Sequence, residues 1–146
     1  AAANRKRIME TYIKRIDGLS LAARSDSNHW LPLDTAEESG GKGAGSKPME
    51  LILSGLGGCT SMDVLALLKK MRIELDDFSL HIIAERRKEH PRVFTSIELT
   101  YSFYGVNLEQ SKLEKAVKLS QDKYCPVAAM LKDTVDISYS IQVNPL

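Results

Sequence analysis

The 146-residue chain carries two thiols that could do covalent chemistry, Cys59 and Cys125. A thiol attacks only as thiolate, which a helix N-terminus or a nearby cation favours and apolar burial disfavours. Cys125 stands in Lys123-Tyr124-Cys125-Pro126, and proline suits the first position of a helix. The cysteine therefore falls at the cap, where the helix dipole and Lys123 favour ionisation. Cys59 lies mid-way along a long apolar stretch with no cation from its own segment. On the residues alone, an inert buried cysteine is the stronger reading for Cys59. The two cysteines are far apart in the chain and no CxxC or HxxxH pairing completes a tetrahedral set, so no metal is expected. His29, His81 and His90 are scattered through expected strands and a turn, and read as strand or surface histidines. No GxGxxG, P-loop or GxSxG signature appears, and no cofactor is expected.

The stretch that positions Cys59 runs from Pro48 to Arg72 and reads as one long helix. Pro48 suits its first position, Glu50 favours the positive end of the dipole, and Lys69, Lys70 and Arg72 gather in the last turn. Its apolar residues fall on nearly every face, as expected of a helix wrapped by protein. Gly55, Gly57 and Gly58 each cost about 1 kcal/mol relative to alanine in a helix, so close approach of another backbone, a kink or a small ligand is expected there.

Ahead of this helix, residues 9–16 and 19–24 read as strands joined at Asp17-Gly18, and residues 29–33 as a third short strand whose Pro32 places it at an edge or an end. The glycine- and serine-rich residues 34–47 read either as a plain linker or as a flap near the helix start. After the helix, residues 78–84 and 93–104 read as strands. In the second of these Val93, Thr95, Ile97, Leu99, Tyr101 and Phe103 share one face. The charged residues 85–92 between them read as a solvated hairpin tip. Residues 108–123 form an amphipathic helix, a second short helix follows Cys125, and residues 135–143 alternate as a last strand. The order βββαββααβ predicts an α+β fold with an antiparallel-dominated sheet.

The length suits one domain spanning residues 1–146, with residues 1–8 a frayed or appended start. A formal net charge of +1 gives no field to recruit nucleic acid or an anionic membrane. No apolar run approaches the roughly 20 residues needed to cross a bilayer, and the N-terminal segment lacks a signal-peptide core. A cytoplasmic location is expected, in which two cysteines are chemical or inert and not a permanent disulfide.

Two stretches together resemble a known family. Pro48-Met49-Glu50-Leu51 leading to Gly57-Gly58-Cys59-Thr60-Ser61-Met62-Asp63-Val64 is similar to the central helix of the OsmC/Ohr family, the osmotically inducible and organic hydroperoxide resistance proteins. Lys123-Tyr124-Cys125-Pro126-Val127 resembles the second cysteine segment of that family. The resemblance covers the chain from about Tyr12 to the end. It implies an OsmC-like fold in which sheets wrap long central helices in an intertwined homodimer. It also implies thiol-dependent reduction of organic hydroperoxides, with Cys59 as the peroxidatic thiol, Cys125 as the resolving one and an external thiol as reductant. Glu50 matches the glutamate that holds a catalytic arginine in the family. The arginine itself has no counterpart in a family motif, and Arg24 is the candidate cation. The alternatives are a non-enzymatic small-ligand-binding dimer with incidental cysteines, or a thiol-transfer enzyme using the same pair. Glu50 and Cys59 are nine residues apart, about 13.5 Å along a straight helix and half a turn out of phase. Either the helix breaks at its glycines or Glu50 serves the cysteine of a second chain.

Overall fold

The computed structural model describes residues 7–146, and most of the expected frayed start lies outside the described residues. The chain divides into two compact units inside one helix, up to Ile52 and from Leu53 onward.

The first unit is an antiparallel meander of β1 (Thr11–Asp17), β2 (Ser20–Ser25) and β3 (Trp30–Leu33). Gly18, with φ of +56°, makes the turn after β1, and Leu19 belongs to that turn and not to β2. Every residue of β1 is exposed, Tyr12, Ile13 and Ile16 among them. Residues 34–47 are no plain linker. The buried Asp34 carboxylate accepts hydrogen bonds from Ser20 Oγ at 2.6 Å, Thr35 N–H at 2.8 Å, Ala44 N–H at 3.1 Å and Lys42 N–H at 3.3 Å. The Ser20 hydroxyl, followed by the Thr35 N–H, holds the Asp34 carboxyl down at about 2, because each donor favours the charged form. A 3₁₀ turn (Glu37–Ser39) and an ion pair between Lys42 and Asp17 complete the loop.

Helix α1 (Pro48–Lys70) follows. Glu50 accepts the backbone N–H of Lys47 at 2.7 Å, the return half of a capping box, and this fixes where the helix begins. At 23 residues, with a mean hydropathy of 1.7 over an 18-residue window, α1 does reach membrane-spanning length, contrary to the expectation that no apolar run comes near it. Spaced polar residues such as Thr60 and Asp63 had hidden this. Within the second unit α1 buries Leu56, Gly57, Thr60, Val64 and Leu68, a stripe at helical spacing. Met62, 73% exposed, and Leu65 lie off that stripe, so a single chain covers one face of α1 and not all of them.

The remainder of the second unit is a three-stranded sheet with β5 (Phe94–Tyr104) at its centre. β4 (Asp77–Arg86) pairs with it antiparallel and β6 (Asp136–Val143) pairs with it parallel. A parallel neighbour needs a crossover. Here it consists of α2 (Gln110–Leu119), a π-helical turn (Ser120–Tyr124) and α3 (Pro126–Leu131). The fold is α+β with antiparallel pairs dominant, as expected; the parallel β5–β6 pair was not. A bulge between Glu85 and Arg86 corrects the expected β5 face. It makes Thr95 the unpaired extra residue, so Phe94 is buried while Val93 and Thr95 are exposed. Residues 85–92 form the expected solvated tip, with arginine side chains donating to the carbonyls of Arg92 and His90.

Candidate functional site

Cys59 and Asp63 are four residues apart on α1, so their side chains rise on one face of the helix. Cys125 comes to them from within the crossover, between the π-helical turn and α3. One ligand atom from each, the two Sγ atoms and a carboxylate oxygen, all lie within 4.8 Å of one another. The cysteines are free thiols, Cys59 half-buried and Cys125 buried at 2% exposure.

Local chain chemistry explains the position of Cys125. The π-helical turn closes with Cys125 N–H donating to Ser120 C=O at 2.8 Å, and the wide turn ends where Pro126 starts α3. Cys125 is the N-cap, and its sulfur accepts the Ala128 N–H at 3.4 Å. The expected ionisation of this thiol does not follow. Burial pushes it up from 9.0 to about 11; the neighbouring Cys59 sulfur adds to the rise, and the Ala128 N–H opposes it without prevailing. α3 is only six residues long, and Lys123 stands over the Tyr124 ring at 5.3 Å. The expectations for the two thiols therefore exchange places: Cys125 is the sequestered one and Cys59 the accessible one.

A polar network buried beside the thiols had no expectation at all. Ser120 Oγ donates to Asp63 Oδ2 at 3.0 Å. Its single proton is thereby committed, so Thr60 Oγ1 donates to Ser120 Oγ at 2.8 Å, and Tyr101 O–H donates to Thr60 Oγ1 at 2.7 Å. Gln121 Nε2 donates to both Thr60 Oγ1 and Tyr101 OH, at 3.2 and 2.8 Å. All three hydroxyl protons thus run toward the Asp63 carboxylate. Burial raises the Tyr101 hydroxyl above its usual range, with the Thr60 and Gln121 hydrogen bonds acting in the opposite direction. The Cys59–Asp63 spacing was open to a sequence reading. The arrival of Ser120 and Gln121 through a π-helical turn carried no signal.

The other expected site residues lie in the first unit. Glu50 is exposed and engaged in capping α1. Arg24 is exposed on β2, directly opposite Trp30 on β3, with its guanidinium 5.2 Å from the centre of the Trp30 ring. α1 is unbroken through Gly55–Gly58, so of the two alternatives left by the Glu50–Cys59 spacing, a broken helix is not realised. Gly57 packs so close to β4 that a Cβ there would lie 2.7 Å from Ile82 Cδ1, whereas a Cβ at Gly55 or Gly58 would meet nothing.

The OsmC-like protein family model matches residues 40–140, a span that holds Glu50, both cysteines and the whole buried network. This chain belongs to the OsmC-like family. The OsmC-like chain is 38% identical to Protein YhfA of Escherichia coli K12 over 92% of its own length and 98% of that protein. A crystal structure of a hypothetical protein from Aquifex aeolicus VF5 superposes with a TM-score of 0.79 at 31% identity, covering 94% of this chain and 98% of that one. An organic hydroperoxide resistance protein OsmC from Legionella pneumophila superposes with a TM-score of 0.71 over 93% of this chain and 97% of its own. At 20% identity that last likeness speaks for the fold.

Proposed function

We propose that this protein is a cytoplasmic, thiol-dependent peroxidase that reduces organic hydroperoxides with its two cysteines. The observation that carries the reading is the placement of the Cys59 and Cys125 sulfurs within 4.8 Å of each other, one accessible and one buried. The Cys59 thiolate attacks the peroxide O–O bond, forming the S–O bond of a sulfenic acid and expelling an alkoxide that takes up a proton and leaves as the alcohol. The Cys125 sulfur then displaces water from that sulfenic acid to form a disulfide, and two equivalents of an external thiol reduce it. The substrate class rests on the resemblance carried by the two cysteine motifs; the Legionella pneumophila protein of the same fold is called an organic hydroperoxide resistance protein. Burial suits Cys125 to resolution: a thiol kept protonated does not compete for peroxide, yet waits beside the sulfenic acid.

The unit that acts is a homodimer. Met62 and Leu65 leave an apolar face of α1 uncovered, and Gly55 and Gly58 leave room for another backbone to approach it. In such a dimer Glu50 serves the partner's Cys59, and Arg24, released from Trp30, is the candidate cation. A second reading, a small-ligand-binding dimer with incidental cysteines, draws on an open groove of about 520 Å³ lined by Leu53, Gly57, Phe78, Leu80 and Ile82 among others. Mass spectrometry after stoichiometric organic hydroperoxide separates the two. A loss of two protons that needs both cysteines is expected; an unchanged mass would favour the binding protein. Sedimentation tests the dimer, since a monomer at micromolar concentration with full activity would rule it out.

A further inference from the structure

The Cys59–Asp63–Cys125 cluster offers two sulfurs and a carboxylate around one point, and no arginine or lysine of the second unit forms an ion pair with Asp63 among the described residues. We infer that Cys59, Asp63 and Cys125 form a binding site for a zinc-class divalent cation, with two thiolates and one carboxylate as ligands and a fourth position open to water or a small anion. The expectation against a metal counted only cysteine and histidine spacings; it left out Asp63, one helical turn from Cys59.

Size comes first. Tetrahedral zinc holds sulfur at about 2.3 Å and carboxylate oxygen at about 2.0–2.2 Å, which places neighbouring ligand atoms about 3.5–3.8 Å apart. The three atoms are already within 4.8 Å of one another. Donor type comes second. Two thiolates with one oxygen suit zinc or cobalt, whereas magnesium and calcium prefer all-oxygen sites.

The surrounding groups already hold two of the three ligands in orientation. Ser120 Oγ donates to Asp63 Oδ2 and is itself held by Thr60, while Ala128 N–H donates to Cys125 Sγ. Such second partners fix ligand direction and raise metal affinity. No hydrogen bond reaches Asp63 Oδ1 among the described residues, so one carboxylate oxygen is spare. A bound cation would also supply positive charge beside both thiols, since a coordinating thiol is deprotonated outright. Binding exchanges two thiol protons for the cation and transfers no electrons.

The inference goes beyond the peroxidase reading and does not depend on it. The test uses the full chain, reduced and stripped with chelator, titrated with Co²⁺ and watched for thiolate-to-cobalt charge-transfer absorption. Zn²⁺ affinity then comes from competition with a chromophoric chelator. One ion per chain with a thiolate band is expected, and Cys59→Ser removes the band. Asp63→Asn lowers Zn²⁺ affinity by at least about 10-fold, and Ser120→Ala, which touches only a ligand's partner, by about 10-fold. Thermal melts verify that the variants fold; Cys59, being half-buried, carries the test should Cys125→Ser unfold. Cobalt bound without a thiolate band, or zinc affinity unchanged in Cys59→Ser and Asp63→Asn alike, would overturn the site. Oxidation of the metal-free protein by hydroperoxide, measured separately with chelator present, reports on the peroxidase reading alone.

Discussion

The segment around Cys59 and the segment around Cys125 bring the same functional group to one place by opposite means. Cys59 rides on a regular helix, where its direction follows from the positions of Leu56, Thr60 and Val64, which the rest of the unit buries. Cys125 sits in irregular chain, between a π-helical turn and a six-residue helix, and is held by backbone hydrogen bonds on both sides. The regular segment leaves its thiol half-exposed and the irregular one shuts its thiol away. At Cys125, burial thus outweighs the helix start in setting ionisation.

The largest expected effect tests that difference directly. Cys59→Ser abolishes hydroperoxide consumption, whereas Cys125→Ser consumes about one equivalent per chain and then stalls at a sulfenic acid open to over-oxidation. Peroxide consumed per chain, followed over time, distinguishes the two; equal residual turnover in both variants would erase the assignment.

Next comes the network that joins the segments. Thr60→Val removes the hydroxyl between Tyr101 and Ser120, leaving buried polar groups short of a partner, and costs about 1–3 kcal/mol in denaturant unfolding. A loss within experimental error would mean that water enters and replaces the hydroxyl.

The glycines beside Cys59 sharpen the contrast further. Gly57→Ala forces the flexible end of Ile82 aside and costs about 1 kcal/mol of chain stability, at the low end for overpacking. Gly55→Ala and Gly58→Ala meet nothing within the chain and gain up to about 1 kcal/mol of helix propensity. If the open face of α1 receives a second chain, these two variants raise the dimer dissociation constant while Gly57→Ala leaves it alone. Sedimentation at several concentrations reads both.

The smallest effect is alkaline. Cys125 rises from 9.0 to about 11 on folding, so the unfolded chain loses this proton first. Its contribution to stability is intact below about pH 9 and falls as the pH climbs from 9 to 11; the raised Tyr101 acts with the same sign. Cys125→Ser should flatten that decline in urea midpoints; a decline as steep in the variant as in the parent chain would remove Cys125 as its source.

Much of the molecule was legible because its determinants are local. Pro48 and Glu50 mark the start of α1, Pro126 marks the start of α3, and the two cysteine motifs place the chain in its family. Glu50 also has a local task that the motif does not record, since it caps its own helix. The loop at residues 34–47 shows the limit of such reading: its composition suggests a linker, but Asp34 gathers four donors that composition does not reveal.

By itself the sequence determined the order of the elements, the helical setting of Cys59 and the cap position of Cys125, because periodicity, proline and glycine act over a few residues. Only the tertiary structure decided that β6 runs parallel to β5, that a bulge at Thr95 turns Phe94 inward, and that Asp63, Ser120, Thr60 and Tyr101 meet beside the two sulfurs. It also decided which thiol is buried. Burial, and with it ionisation, depends on which distant segments exclude water from a group, and no spacing along the chain records that.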